Sequence, residues 1–307
     1  MALSLICPTK DPAPWLQALQ ALEPELDLRV WPQDEDRREV SFVVAWNAPQ
    51  GVFLEYPELR AISSMGAGVD TLLADRSIPE SIAISRIVDP HLVEQMVRYV
   101  LSAVLTYGSR LHHYWQQQQR QQWQPLPQCE IGTVGILGLG QIGSAVARRC
   151  TQLGLTVAGW SRRPKQLEQV ATYAGQAQLS SFLGQAQVLI CLLPLTPETA
   201  GILNYAHLSQ LPQGAYLINA ARGGHLVEAD LLRLLDRGHL AGACLDVFTQ
   251  EPLPSDHPFW QRPEIIVTPH SASLTSPAAV APQLLENYRR VRENLPLLNP
   301  VSRRLGY

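Results

Sequence analysis

An α/β fold built on two doubly wound parallel sheets is what this sequence predicts. Short apolar runs alternate with helix-length amphipathic segments for most of the chain, the rhythm of βαβ units. The downstream runs are near-continuously apolar, as strands buried on both faces must be. A glycine-rich turn also stands between one such run and a helix, which is the context of a dinucleotide-binding strand–turn–helix. The chain has 307 residues, and at roughly 100–200 residues per domain two such domains are expected.

Along the chain, Leu3–Cys7, Ser41–Trp46, Ala61–Ser64 and Ile82–Ile84 read as buried strands, with a helix around Trp15–Leu22 after the first. From about His91 to Tyr114, Leu92, Met96, Tyr99, Val100, Ala103 and Val104 recur at helical spacing and predict one long helix. Gln116–Gln119, with Gln121 and Gln122, extend that helix or form a solvated arm. Trp115 and Trp123 would be its anchors if the arm clasps a partner. Denser strand signals follow at Gly132–Leu137, Leu155–Trp160, Val188–Leu193, Ala215–Asn219, Ala241–Leu245 and Ile265–Thr268. A last helix is predicted from about Pro277 to Leu295. No period of 20–50 residues repeats, which excludes a solenoid or propeller.

Composition narrows the function. Lys and Arg total 24 against 27 Asp and Glu, a net charge of −3, so nothing points to nucleic acid or an anionic membrane. The longest apolar stretch, Val188–Leu193, is far short of the roughly 18 residues a membrane span needs. No basic segment precedes the first apolar run and Pro8 cuts it short, so no signal peptide is expected. The 5 cysteines are scattered and never spaced as CxxC. A cytoplasmic protein is the expectation. The histidines show no metal-ligand spacing, and no metal is expected.

The glycine turn is Gly138-Leu139-Gly140-Gln141-Ile142-Gly143, after the apolar run Thr133–Leu137 and opening a helix over Gln141–Leu153. Gly138 permits the tight turn, Gly140 lets the backbone approach a pyrophosphate, and Gly143 lets the helix pack on the sheet. The free N–H groups and positive end of the helix then hold phosphates. A Rossmann site for NAD carries an acid about 20 residues on, for the ribose 2′-OH. Here the chain reads Trp160-Ser161-Arg162-Arg163-Pro164-Lys165. With no acid and three cations, the turn predicts NADP(H) as the preferred cofactor, NAD(H) remaining possible.

Three further segments each follow a predicted strand, where open α/β sheets bind their ligands. They are Asn219-Ala-Ala-Arg222-Gly223-Gly224, then Asp246-Val-Phe-Thr-Gln-Glu251-Pro252, then Thr268-Pro-His270-Ser-Ala-Ser273. An Arg, a Glu and a His at one sheet edge make an acid–base site: an anion clamp, a proton donor and a group that keeps the donor charged.

With these motifs the chain resembles the D-isomer-specific 2-hydroxyacid dehydrogenases over nearly its whole length. The glycine turn, NAARGG, LDVFTQEPLP and TPHSAS occur in that family's order, together with Ser64-Met-Gly66-Ala67-Gly68-Val-Asp70. Trp46 in VVAWNAP, Glu94–Met96, the SRRPK turn and the terminal RRLGY are similar to the glyoxylate/hydroxypyruvate reductase A branch. One departure is Ser276 in SLTSP, where that branch is expected to carry a basic residue.

The resemblance implies a Rossmann domain inserted into a flavodoxin-like substrate domain. Residues 1–100 would be the first substrate segment, 101–275 the nucleotide domain, and 276–307 a helix returning to the substrate domain. It implies that Arg222 clamps the substrate carboxylate, that His270 protonates the ketone oxygen, and that Glu251 holds the imidazole. Gly66, Ala67 and Gly68 would bind the carboxylate through backbone N–H groups, and Trp46 would wall the pocket. Asp246 would contact the nicotinamide carboxamide, while Leu193, Pro194 and Thr196 would line the cofactor path. The implied reaction is reduction of a small 2-oxo acid, such as glyoxylate or hydroxypyruvate, to the D-2-hydroxy acid by a homodimer. A dehydrogenase of another 2-hydroxy acid is the alternative, ahead of a non-catalytic NADP(H)-sensing protein.

Overall fold

The computed structural model describes residues 1–127 and 129–306, and the chain forms two compact units, Met1–Leu92 with Thr275–Tyr307 and Val93–Leu274. The first unit opens with β1 (Ala2–Ile6), α1 (Ala13–Leu22), β2 (Leu28–Val30), β3 (Val40–Ala45), β4 (Ala61–Ser64), α2 (Asp70–Ala74) and β5 (Ala83–Ser85). Its strands form one sheet in the order β2-β1-β3-β4-β5, and every pairing is parallel. That is the flavodoxin-like order. Alternate residues explain why these strands are apolar at nearly every position. Leu3, Leu5, Phe42 and Val44 pack with Trp15 and Leu19 of α1, whereas Ala2, Ile6, Val43 and Ala45 join Phe53, Ile62 and Leu72. Both faces are covered, so neither can be polar.

The second unit contains most of α3 (Pro90–Gly108), α4 (Leu111–Gln119), β6 (Thr133–Leu137), α5 (Gln141–Gln152), β7 (Thr156–Ser161), β8 (Val170–Ala174), α6 (Leu179–Leu183), β9 (Ala186–Cys191), α7 (Tyr205–Leu208), β10 (Ala215–Asn219), α8 (Glu228–Asp236), β11 (Leu240–Leu245) and β12 (Ile265–Val267). The sheet order is β12-β11-β10-β9-β6-β7-β8, again all parallel. Counted from β6 this is the Rossmann order with one further strand, reversing between β6 and β9. Val134 and Ile136 of β6 face Val100 and Val104 of α3 and Val146 of α5, while Leu189, Leu217 and Leu245 face Phe182 and Leu231. The chain then returns to the first unit as α9 (Pro277–Arg292), whose Val280, Leu284 and Tyr288 pack with the α1 face of that sheet.

The fold departs from the sequence expectation in two places. The long helix is broken in two: α3 ends at Gly108, Arg110 turns left-handed at φ 55°, and α4 begins at Leu111. Ile131 packs where a Cβ on Gly108 would lie, 2.7 Å away, so a close approach keeps a poor helix former at that end. The glutamines Gln116–Gln119 complete α4, and beyond them Trp123 is fully exposed. Second, β2 and β8 gave no apolar run. Both are sheet edges, and their residues are only partly buried, so neither needed one.

Candidate active site

The glycine turn leaves β6 with Gly138 at φ 103°, and Gly140 caps α5. A Cβ on Gly143 would lie 1.8 Å from the Gly138 carbonyl oxygen, so only glycine lets α5 start this close to the strand. Above Gly140 a Cβ would meet nothing within 4 Å, which leaves open room in front of the first turn of α5. N–H groups with no partner inside the helix, open space and no side chain in the way fit a pyrophosphate.

The β7 end supplies the second half of a dinucleotide seat. Ser161 is buried and its hydroxyl donates to the Arg163 carbonyl at 2.7 Å, which folds the turn back on itself. Arg162 and Arg163 are exposed there. Lys165 reaches back to donate to the Leu139 carbonyl, tying the basic turn to the glycine turn. No acid stands in this turn, but one approaches from the loop after β9. The Glu198 carboxyl is held below its usual range, first by the Thr196 hydroxyl and more weakly by the charge of Arg162. In that same loop Leu193 and Thr196 are buried and Pro194 is exposed. The Pro194 carbonyl accepts from the Thr199 hydroxyl at 2.7 Å and lies 3.3 Å from His225 Nε2.

Arg222, Glu251 and His270 follow β10, β11 and β12, three neighbouring parallel strands, at their carboxyl ends. The Arg222 segment is pinned by buried Asn219, whose amide donates to the Arg222 carbonyl at 3.0 Å, and by Gly223. A Cβ on Gly223 would fall 1.9 Å from the Phe248 carbonyl carbon, so the two loops touch backbone to backbone. Phe248 in turn donates its N–H to Glu251 Oε1 at 2.9 Å. Glu251 Oε2 lies 2.7 Å from His270 Nδ1, and the two side chains are 36% and 33% exposed. The other ring nitrogen, Nε2, has no partner among the described residues, which leaves it open to a substrate. Burial pushes the Glu251 carboxyl up, but the His270 hydrogen bond, the Phe248 N–H and the charges of His270 and Arg222 outweigh it and hold the carboxyl below its usual range. The group that keeps the ring oriented is therefore an ionised one.

His270 itself sits at φ 50°, a backbone region that costs a non-glycine residue about 1–3 kcal/mol unless its surroundings fix it. They do. Its N–H donates to the Asp246 carbonyl at 2.8 Å. The Asp246 side chain, 1% exposed, accepts the Thr268 hydroxyl at 2.6 Å and the Ser271 and Ala272 N–H groups at 2.8 and 2.9 Å.

In the first unit, Gly66, Ala67 and Gly68 follow β4 in a loop that Ser64 braces. The Ser64 hydroxyl donates to the Gly68 carbonyl at 2.8 Å and accepts the Gly66 N–H at 3.2 Å. The Ala67 and Gly68 N–H groups have no partner among the described residues. The Trp46 ring, after β3, lies against Gly66, its nearest atom 2.8 Å from where a Cβ would stand. Sequence reasoning missed Lys10, whose ammonium lies 3.7 Å from the centroid of the Trp46 ring. Burial pushes that ammonium down from its usual value, with the neighbouring Cys7 opposing the shift. A lone lysine after β1 gives no sequence signal, because the pairing is made only when β1 and β3 come together. Ser276, the departure noted above, caps α9 without a side-chain hydrogen bond.

Comparison with known proteins places this geometry. Residues 101–272 match the family described as D-isomer specific 2-hydroxyacid dehydrogenase, NAD binding domain. A Serratia proteamaculans (strain 568) protein named glyoxylate/hydroxypyruvate reductase A is 42% identical, over 95% of this chain and 96% of its own. Among solved structures, a D-isomer specific 2-hydroxyacid dehydrogenase from Xanthobacter autotrophicus Py2, in complex with NADPH and MES, superposes with a TM-score of 0.93 at 38% identity, covering 100% of this chain and 99% of the other. The NADPH-dependent glyoxylate/hydroxypyruvate reductase of Sinorhizobium meliloti, with NADP and sulfate, gives 0.92 at 34% identity, with coverage of 100% and 99%. On the sheet orders, the glycine turn and these matches, the chain belongs to the D-isomer specific 2-hydroxyacid dehydrogenase family.

Proposed function

We propose that this chain catalyses the NADPH-dependent reduction of glyoxylate or hydroxypyruvate to the D-2-hydroxy acid. The observation that carries the reading is the His270–Glu251 pair, closed on one side at 2.7 Å and open at Nε2, on the same sheet edge as Arg222. The names and cofactors of the relatives support the substrate and the cofactor.

The N–H groups of Gly140, Gln141 and Ile142 hold the pyrophosphate in this reading, with Gly138 and Gly143 shaping the turn. Ser161, Arg162, Arg163 and Lys165 form the 2′-phosphate side, and Leu193, Pro194 and Thr196 line the cofactor path. Bound there, NADPH supplies the hydride that the substrate carbonyl carbon accepts. Arg222 pairs with the substrate carboxylate and stabilises charge growing on the ketone oxygen. In the first unit the Ala67 and Gly68 N–H groups are the donors for a carboxylate, with Trp46 as a wall, while the Gly66 N–H is taken by Ser64. His270 gives its Nε2 proton to the ketone oxygen as hydride arrives, and then takes a proton from solvent. One 2-oxo acid, one NADPH and one proton thus become one 2-hydroxy acid and NADP⁺. Glu251, held ionised, keeps the ring aimed. Asp246 acts through the turn that carries His270.

The test is His270→Gln. The variant should bind NADPH normally by fluorescence titration and lose reduction; retention of turnover would refute the assignment. No helix among the described residues is long and apolar enough to cross a membrane. We read the protein as a cytoplasmic homodimer. Five cysteines that are all free thiols support the compartment, and Trp115 and Trp123, 52% and 100% exposed, support an association surface. Sedimentation at the monomer mass would refute the dimer.

A further inference from the structure

We propose that Tyr99 is a positioning residue for the proton donor, its hydroxyl acting through Thr268 and Asp246 on the turn that carries His270. The inference rests on the reading of His270 as the proton donor. It is carried by a chain of hydrogen bonds whose direction the chemistry fixes. Thr268 Oγ1 stands 2.6 Å from Asp246 Oδ1, and a carboxylate only accepts, so the one Thr268 hydroxyl proton goes there. Tyr99 Oη lies 2.7 Å from that same Thr268 oxygen, so Tyr99 is the donor. Its proton is then spent, and the Cys244 thiol 3.3 Å away donates to Tyr99 in turn. Burial pushes the Tyr99 phenol well above its usual value and the Cys244 thiol up to about 11, so both keep their protons.

The result is a one-way series from Cys244 to Tyr99 to Thr268 to Asp246. Each bond polarises the next, which strengthens the set beyond its separate pairs. Asp246 ends the series and grips the turn twice. Its backbone carbonyl holds the His270 N–H at 2.8 Å, and its carboxylate holds the Ser271 and Ala272 N–H groups. This grip keeps His270 in its left-handed conformation, with Nδ1 facing Glu251. Helix α3 holds the far end of the same segment as well. Gln95, one helical turn before Tyr99, exchanges two hydrogen bonds with the Leu274 backbone, at 3.0 and 3.1 Å. Residues 268–274 are therefore clamped at both ends by one face of α3. The ring inherits its aim in part from this helix.

The experiment uses the full chain, glyoxylate and NADPH. Tyr99→Phe removes one hydroxyl and keeps the ring. It should lower kcat about three- to tenfold, leave the KM for NADPH within about twofold, and move the alkaline limb of the reduction profile to lower pH, because a loosened ring loses part of its contact with Glu251. Thr268→Val should show the same losses, Thr268→Ser should restore wild-type behaviour, and the double variant Tyr99→Phe with Thr268→Val should be no worse than Thr268→Val. A Tyr99→Phe enzyme with unchanged kcat and an unmoved pH profile overturns the proposal. So does a kcat loss that merely follows a fall in Tm while the profile stays in place. His270→Gln, run alongside, separates the two ideas. If it is inactive while Tyr99→Phe is normal, only the positioning role fails; if it remains active, the proton-donor reading fails first.

Discussion

Glu251→Gln removes the charge and the acceptor that His270 Nδ1 meets. The amide keeps the side-chain shape, and its oxygen can still accept the Phe248 N–H, which lies 2.9 Å from Oε1. What disappears is both the charge and the acceptor 2.7 Å from His270 Nδ1, because the amide NH2 now faces that nitrogen. Hydrogen bonds to charged groups contribute about 1.5–3 kcal/mol. With both side chains about one-third exposed, solvent screening favours the lower end of that range, about 1.5 kcal/mol. That corresponds to roughly tenfold in rate. Reduction consumes a protonated donor, so its alkaline limb should move to lower pH in the variant. Oxidation of the hydroxy acid needs the neutral ring and should become available at lower pH. The assay is kcat/KM against pH in both directions. Superimposable profiles for the two enzymes would refute the pairing. Stability gives a second readout. The Glu251 carboxyl is lowered below its ordinary value of 4.5, so its ionised form stabilises the fold fully above that pH. The contribution is lost as the pH falls through the lowered value. The Tm gap between wild type and Glu251→Gln should accordingly be open at neutral pH and close below pH 4.5.

Arg222→Lys places a point charge where a planar fork is needed, and should cut kcat/KM for glyoxylate by about 10²–10³ while NADPH titrations stay normal. Arg162→Ala with Arg163→Ala should raise the KM for NADPH about ten- to hundredfold and leave NADH kinetics almost untouched. Glu198→Gln, which removes the carboxylate that senses Arg162, should lower the KM for NADPH. Gly143→Ala forces a Cβ to within 1.8 Å of the Gly138 carbonyl oxygen. Overpacking of this kind costs about 1–3 kcal/mol, and the displaced turn should lose NADPH affinity, read by calorimetry and thermal melting.

Much of this was legible in the residues because the signals are local. The strands buried on both faces announce themselves as apolar runs, and each of the three acid–base segments sits directly after one. The glycine turn is legible for the same reason, since turn, strand and helix are contiguous. What escaped detection depends on partners distant in sequence. Edge strands β2 and β8 are half-buried and carry Arg29 or Thr172 where a central strand would be apolar. The helix ends at Gly108, where Ile131, 23 positions on, packs against the glycine, and the apolar spacing does not betray that contact. Lys10 meets Trp46 only across two strands, and Glu198 feels the charge of Arg162 only once β7 and β9 flank β6. Asp246 shows the same limit within the site. Its place after β11 was readable, but the use of its carboxylate, holding the His270 turn from inside, emerges only when β11 and β12 pair.

NADPH consumption by the purified chain, followed with glyoxylate and with hydroxypyruvate and repeated with NADH, bears on all of these assignments at once. The expected result is turnover of both oxo acids, a kcat/KM for NADPH at least about tenfold above that for NADH, and only the D-hydroxy acid recovered from hydroxypyruvate by chiral chromatography. Failure to oxidise NADPH with either acid, under conditions where the cofactor binds, would contradict the proposed function, and a preference for NADH would contradict the reading of the Ser161–Lys165 turn.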